Sequence, residues 1–261
     1  MNRLVTCTKD ALENKRKLFC AYITLGFPSL KFTEELIPAL EMSGVDILEL
    51  GIPFSDPLAD GPVIQDAAYN SLCNGTKIND AFEMVSRLRK KGVVIPVVLF
   101  SYYNPILSVG EKAIASKLAK SGFDAVLCPD LPPEHAVTFE GHVREHALSF
   151  VYLIAPTSSS KRRNMIVKQS DGFIYYVARK GVTGTGDALA SDLKKNVLDI
   201  KERTDKAVLV GFGVSSPEHV RYISQFGDGV IVGSAIVKKI KETNSVEKTA
   251  AYVKKLVKAL R

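Results

Sequence analysis

Residues 46–62 read DILELGIPFSDPLADGP: a short apolar run, then a loop stiffened by three prolines and carrying Asp56 and Asp60. The run is nearly continuous in its hydrophobicity rather than cleanly alternating, the pattern of a strand buried on both faces. Seven other runs share that pattern: FCAYIT (19–24), IPVVLF (95–100), DAVLC (124–128), FVYLI (150–154), GFIYYV (172–177), AVLVG (207–211) and DGVIV (228–232). Between them lie amphipathic segments. SLKFTEELIPALEMSG (29–44) places Leu30, Phe32, Leu36, Ile37 and Leu40 on one side and stops at Gly44. SSPEHVRYISQFG (215–227) opens with Ser215 and Glu218 at capping-box spacing. Eight strand–helix alternations predict parallel strands joined by crossover helices, and eight is the number that closes, so the expected fold is an α/β (β/α)8 TIM barrel. A doubly wound open sheet is the competitor, but TLGFPS after the first run is not a G-x-G-x-x-G turn.

Composition agrees with this architecture. The 261 residues suit one barrel domain spanning 1–261, and 46% hydrophobic with 24% charged residues allows a large core. No apolar run reaches the ~20 residues of a membrane span, and the N-terminal MNRLVTCTKDALENKRK lacks signal-peptide features, so a cytoplasmic location is expected. Four scattered cysteines without C-x-x-C spacing argue against a zinc cluster or disulfide framework. The net charge of +7 is compatible with an anionic substrate. Its densest lysines lie beside the apolar stripe Val246, Ala250, Val253, Val257 and Leu260 of a C-terminal helix, not in a patch with base-reading aromatics.

In such barrels the chemistry sits at the C-terminal ends of the strands. Two connections are long: about 52–62 after the second strand, and 178–192 (ARKGVTGTGDALASD) after the sixth, rich in glycine and threonine as a lid would be. Alternation along DILELG sends Leu48 and Leu50 outward and Glu49 toward the barrel axis. A carboxylate buried there without a partner has a raised pKa and is suited to acid/base work. Asp60, brought by the stiff loop, makes a second acid for proton transfer on one substrate, whereas Asp56 before Pro57 reads as a turn or contact residue. No histidine is near, so no metal is expected. HVREH (142–146) matches an inverted zinc-protease motif but falls on an outer helix.

Glycine-containing turns follow the last two strands, where barrels of this kind bind phosphate: Gly211 and Gly213 in VLVGFGVSS, and Gly233 with Ser234 in VIVGSAIV, opening a helix. GVTGTG after the sixth strand adds Gly184.

The motifs LELGIPFSDPLADGPVIQ (48–65), APTSS (155–159), GVTG (181–184), GFGVSSPEHV (211–220) and VGSAIVK (232–238) closely resemble the tryptophan synthase α subunit family, with similarity from about residue 15 to 245. The resemblance implies a (β/α)8 barrel that cleaves indole-3-glycerol phosphate to indole and glyceraldehyde 3-phosphate, in partnership with a β subunit that carries pyridoxal phosphate; no cofactor is implied for this chain. It implies Glu49 as general acid/base, Asp60 as second acid and Tyr175 as the tyrosine closing the pocket beside them. Phosphate contacts fall on Gly184, Gly213, Gly233 and Ser234, and the indole pocket on Tyr22, Phe100, Leu127, Leu153 and Phe212. Arg179 and Thr183 are lid positions, and Asp56 and Pro57 match positions that touch the β subunit.

The chain departs from the family pattern at Phe27, where the loop after the first strand usually has an aspartate, at Ala178 for a common serine, and at Pro129 for a small residue. Two rival functions fit the same barrel: a Schiff-base aldolase using Lys180, and a non-catalytic subunit that binds and activates a β subunit.

Overall fold

All eight predicted runs form strands in the computed structural model, which describes residues 2–178, 193–211 and 213–260. In chain order they are β1 (Leu18–Thr24), β2 (Ile47–Gly51), β3 (Val97–Phe100), β4 (Ala125–Leu127), β5 (Ser149–Val151), β6 (Leu153–Ile154), β7 (Phe173–Val177), β8 (Ala207–Gly211) and β9 (Gly229–Val232). Segments β5 and β6 are separated only by Tyr152 and form one stave. Its first half pairs with β4 and its second with β7. Because β1 pairs in parallel with both β2 and β9, the sheet runs β5-β4-β3-β2-β1-β9-β8-β7-β6 and closes on itself through that stave. Closure excludes the open doubly wound sheet.

The first six helices are α1 (Arg3–Glu13), α2 (Leu30–Met42), α3 (Pro62–Cys73), α4 (Ile78–Lys90), α5 (Tyr103–Val109) and α6 (Glu111–Ser121). The next six are α7 (Val137–Glu145), α8 (Ser160–Gln169), α9 (Leu193–Lys201), α10 (Pro217–Ser224), α11 (Ser234–Thr243) and α12 (Val246–Leu260). The long gap between the second and third strands holds both α3 and α4 beside the loop. Helix α10 is capped one residue later than the sequence suggested: the Ser216 hydroxyl accepts the His219 N–H, because Pro217 at the first helical position already lacks a donor. Helix α12 buries Val253, Val257 and Leu260 as the stripe predicted, together with Thr249 and Leu256. No helix among the described residues is long and apolar enough to cross a membrane.

Both faces of the strands are buried, which is why their sequences barely alternate. Phe19, Leu48 and Leu50 lie on the helix-facing side and are wholly covered. At the N-terminal end, α1 covers the barrel floor. Its cap Asn2 accepts the N–H groups of Leu4 and Val5 and donates to the carbonyls of Asp124 and Ala147.

The loop after β1 absorbs Phe27 as an apolar anchor. Phe27 is buried in the core, the Gly26 N–H donates to the Thr33 hydroxyl, and Asn74 donates to the Pro28 carbonyl. Gly26 has φ +79°, and a Cβ there would lie 2.2 Å from Thr76 Oγ1, so only glycine fits.

Candidate active site

Strand register assembles the site. It pairs Tyr22 with Glu49, Glu49 with Val98, Gly51 with Phe100, Phe100 with Leu127 and Leu153 with Tyr175. Tyr22, Glu49, Phe100, Leu127, Leu153 and Tyr175 therefore share one parity, the barrel interior. Tyr22 and Phe100 meet edge to face across β2, with ring centroids 5.3 Å apart. They can meet because Gly51 lies between them: a Cβ there would sit 2.2 Å from the Tyr22 hydroxyl. Gly211 does the same for Tyr175, where a Cβ would come within 2.5 Å of the phenol oxygen. Gly211, read from sequence as part of a phosphate turn, thus makes room for a ring.

Glu49 is 1% exposed, and neither carboxylate oxygen has a hydrogen-bond partner among the described residues. Burial pushes its pKa up to about 8, with the neighbouring Cys20 thiol acting in the opposite sense. Asp60 reaches the same chamber from the loop between β2 and α3. Its N–H bonds the Pro57 carbonyl at 3.0 Å, and its own carbonyl accepts Gln65 Nε2 at 2.9 Å. Its carboxylate accepts the Tyr102 hydroxyl at 2.9 Å, and that hydroxyl in turn accepts the Ala59 N–H at 2.9 Å. Burial raises the Asp60 pKa to about 6, the Tyr102 bond holding it back. Both carboxylates act on the two pocket tyrosines. The phenol of Tyr22 is pushed up by burial and then by Asp60, and that of Tyr175 by burial and then by Glu49.

Tyr102 was absent from the sequence reading. It sits in SYYNP, just past β3 at the catalytic end, so its position was a signal, but only the structure shows which of two adjacent tyrosines turns inward. The Phe54 ring packs beside it, centroids 5.4 Å apart.

At the other side of the mouth, Gly233 caps α11 directly after β9 with no side-chain cap, and the exposed Ser234 opens the helix. The first N–H groups of a helix have no intrahelical acceptor, so this end can receive an anion. Gly213, after β8, has φ +89° and is exposed. Gly184, Arg179, Thr183 and Phe212 lie outside the described residues, as does Lys180. Asp56 is exposed, with Ser55 Oγ donating to its carboxylate at 2.6 Å, and Pro57 is half-buried. Beside them Leu58 stands 85% exposed; Leu107 on α5 and Val137 at the start of α7 are exposed too, each beyond the C-terminal end of an adjacent strand.

No cluster of three or more metal-ligating side chains occurs among the described residues. His142 of HVREH lies on α7, 3.4 Å from Glu145.

A family model described as tryptophan synthase alpha chain matches residues 8–261. The tryptophan synthase alpha chain of Dehalococcoides mccartyi is 42% identical over 251 residues, covering 96% of this chain and 98% of that one. That of Geobacter sulfurreducens is 40% identical, with 100% and 99% covered. The crystal structure of tryptophan synthase subunit alpha from Legionella pneumophila superposes with a TM-score of 0.92 at 34% identity, covering 100% of this chain and 98% of the other. Matched over nearly its whole length in sequence and in fold, the chain belongs to the tryptophan synthase alpha chain family.

Proposed function

We propose that this chain works as a one-domain lyase that cleaves indole-3-glycerol phosphate to indole and glyceraldehyde 3-phosphate, with Glu49 and Asp60 moving the protons. The observation that carries this reading is two buried carboxyls in one largely apolar chamber whose pKa values are pushed to about 8 and about 6. At neutral pH the first is the acid and the second is ionised, the separation that assigns acid and base roles.

The Glu49 acid delivers its proton to C3 of the indole ring while the Asp60 carboxylate accepts the N1 proton, giving a 3H-indole. Glu49, now ionised, removes the proton from the hydroxyl on the side-chain carbon attached to C3. The bond from C3 to that carbon breaks, its electron pair enters the ring, and nitrogen regains a proton from Asp60. Indole and the aldehyde leave, and both carboxyls are back in their starting forms. Tyr22, Phe100, Leu127, Leu153 and Tyr175 hold the ring, and the family resemblance adds Phe212 to them. Phosphate held by Gly213, Gly233, Ser234 and Gly184 anchors the other end, so binding energy orients the scissile bond. The family resemblance assigns Arg179 and Thr183 to the lid.

The exposed Leu58, Leu107 and Val137, with Asp56 and Pro57, form the face for a β subunit that carries pyridoxal phosphate and takes up the indole. The complex works in the cytoplasm.

The test is indole release from indole-3-glycerol phosphate with and without a β subunit. Slow release that the β subunit accelerates, and that Glu49→Gln lowers by about a thousandfold or more, supports the reading. Release that survives Glu49→Gln overturns the assignment, and no release even with saturating β subunit leaves a non-catalytic activator.

A further inference from the structure

Beneath Glu49 the interior carries a polar group, Cys20, that the reaction above does not use. Register pairs Cys20 with Ile47 and Tyr22 with Glu49, so Cys20 has the interior parity and sits one layer below Tyr22, diagonal to the carboxylate. Its side chain is wholly buried, and burial together with Glu49 holds the thiol far above its ordinary pKa, so it is a neutral S–H donor at every working pH. Among the described residues, the other titratable groups facing Glu49 are Tyr22 from β1 and Tyr175 from β7, and both of these also feel Asp60. Both tyrosine hydroxyls lean toward the mouth, over Gly51 and Gly211, and Asp60 is an acceptor engaged by Tyr102. Below Cys20, Asp46 is occupied by Arg16 and the Phe19 N–H.

We propose that Cys20 is a positioning residue for Glu49, its thiol donating to the carboxylate from the side away from the substrate once Glu49 has given up its proton. The inference rests on Glu49 being the acid/base group. An S–H is a weak donor. A weak donor suits this place: it steadies the anion enough to let the proton leave without holding the carboxyl ionised beforehand. Removing the donor raises the Glu49 pKa further, so the alkaline limb of the pH–rate profile moves up. Transfer to C3 also becomes less favourable, so kcat falls while KM, set by contacts on the substrate side, stays.

The experiment is the pH profile of indole release by the complex with β subunit for wild type, Cys20→Val, Cys20→Ala and Cys20→Ser, with thermal melts of each. Valine replaces the thiol by a somewhat larger apolar group, alanine guards against a valine that packs poorly, and serine restores a donor. The expected result is an alkaline limb raised by roughly half a pH unit and a severalfold lower kcat in the valine and alanine variants, with the limb at or below wild type in serine. Lower melting temperatures with an unmoved limb would overturn the proposal, as would a serine variant that shifts like valine. Glu49→Gln run alongside separates the two readings: if it stays active the acid/base assignment fails, whereas an inactive Glu49→Gln with unmoved cysteine variants defeats only the role of Cys20.

Discussion

Four aspartates stand at the foot of the barrel and two buried carboxyls, Glu49 and Asp60, at its mouth, and the two groups are treated oppositely. Just before β2, β4, β7 and β9, Asp46, Asp124, Asp171 and Asp228 accept the N–H groups of Phe19, Val97, Phe150 and Val208 respectively, each on the preceding stave. Each also faces a cation: Arg16 for Asp46, Arg3 and Arg89 for Asp124, Arg144 for Asp171, Lys201 for Asp228. The device recurs on alternate staves and ties strand to strand. At the mouth, among the described residues, Glu49 has no ion-pair or hydrogen-bond partner and the Asp60 carboxylate has a single phenol. Positive charge beside a carboxylate favours its ionised form, which suits a strut and would disable an acid; at Asp171 burial outweighs the Arg144 guanidinium and pushes the pKa up. The same residue type is thus a structural pin at one end and a proton carrier at the other, and the difference lies in what surrounds it.

Breaking a foot aspartate should have the largest effect on stability. Asp124→Ala strands Arg89, whose side chain is 13% exposed, and leaves the Val97 N–H unpaired. A loss of about 3–5 kcal/mol in denaturant unfolding is expected, with little change in kcat for the protein that remains folded. A comparable loss of kcat at unchanged stability would dissolve the distinction between the ends.

The mouth should behave in the reverse sense. The Glu49 pKa is raised by folding, so below the unfolded value near 4.5, where the group is neutral folded or unfolded, the fold bears no cost of ionisation. Stability is then lost as pH rises from there through about 8. Glu49→Gln removes that pH dependence. Relative to wild type it should gain about 2–4 kcal/mol between pH 4 and pH 9 in paired unfolding curves. A parallel pair of curves would mean that Glu49 is not held neutral. A smaller effect is expected at Tyr102→Phe, which removes the donor that restrains the Asp60 pKa. The acidic limb should move up, and kcat/KM near pH 6.5 should fall by roughly five- to tenfold, with less change at pH 8.

The barrel was legible because eight apolar runs and their turns repeat one local rule, and the parity of DILELG already sent Glu49 inward. The pocket parity of Tyr22, Phe100, Leu127, Leu153 and Tyr175 came from the family resemblance, and strand register supplies its physical cause. Contacts between segments distant in sequence stayed hidden. Tyr102 meets Asp60 across 42 residues, Asp124 meets Arg3 across 121, and no local pattern encodes either pairing. The roles of Gly51 and Gly211 were hidden for the same reason, since each makes room for a ring on a neighbouring strand. Phe27 was legible as a departure, but not its accommodation as a buried anchor.

The most direct test of the central claim, that two buried carboxyls divide the proton work, is the pH dependence of kcat/KM for indole release by the complex with β subunit. A bell is expected, rising as Asp60 ionises near pH 6 and falling as Glu49 ionises near pH 8. A profile that lacks the fall near pH 8, or that keeps both limbs in Glu49→Gln, would contradict it.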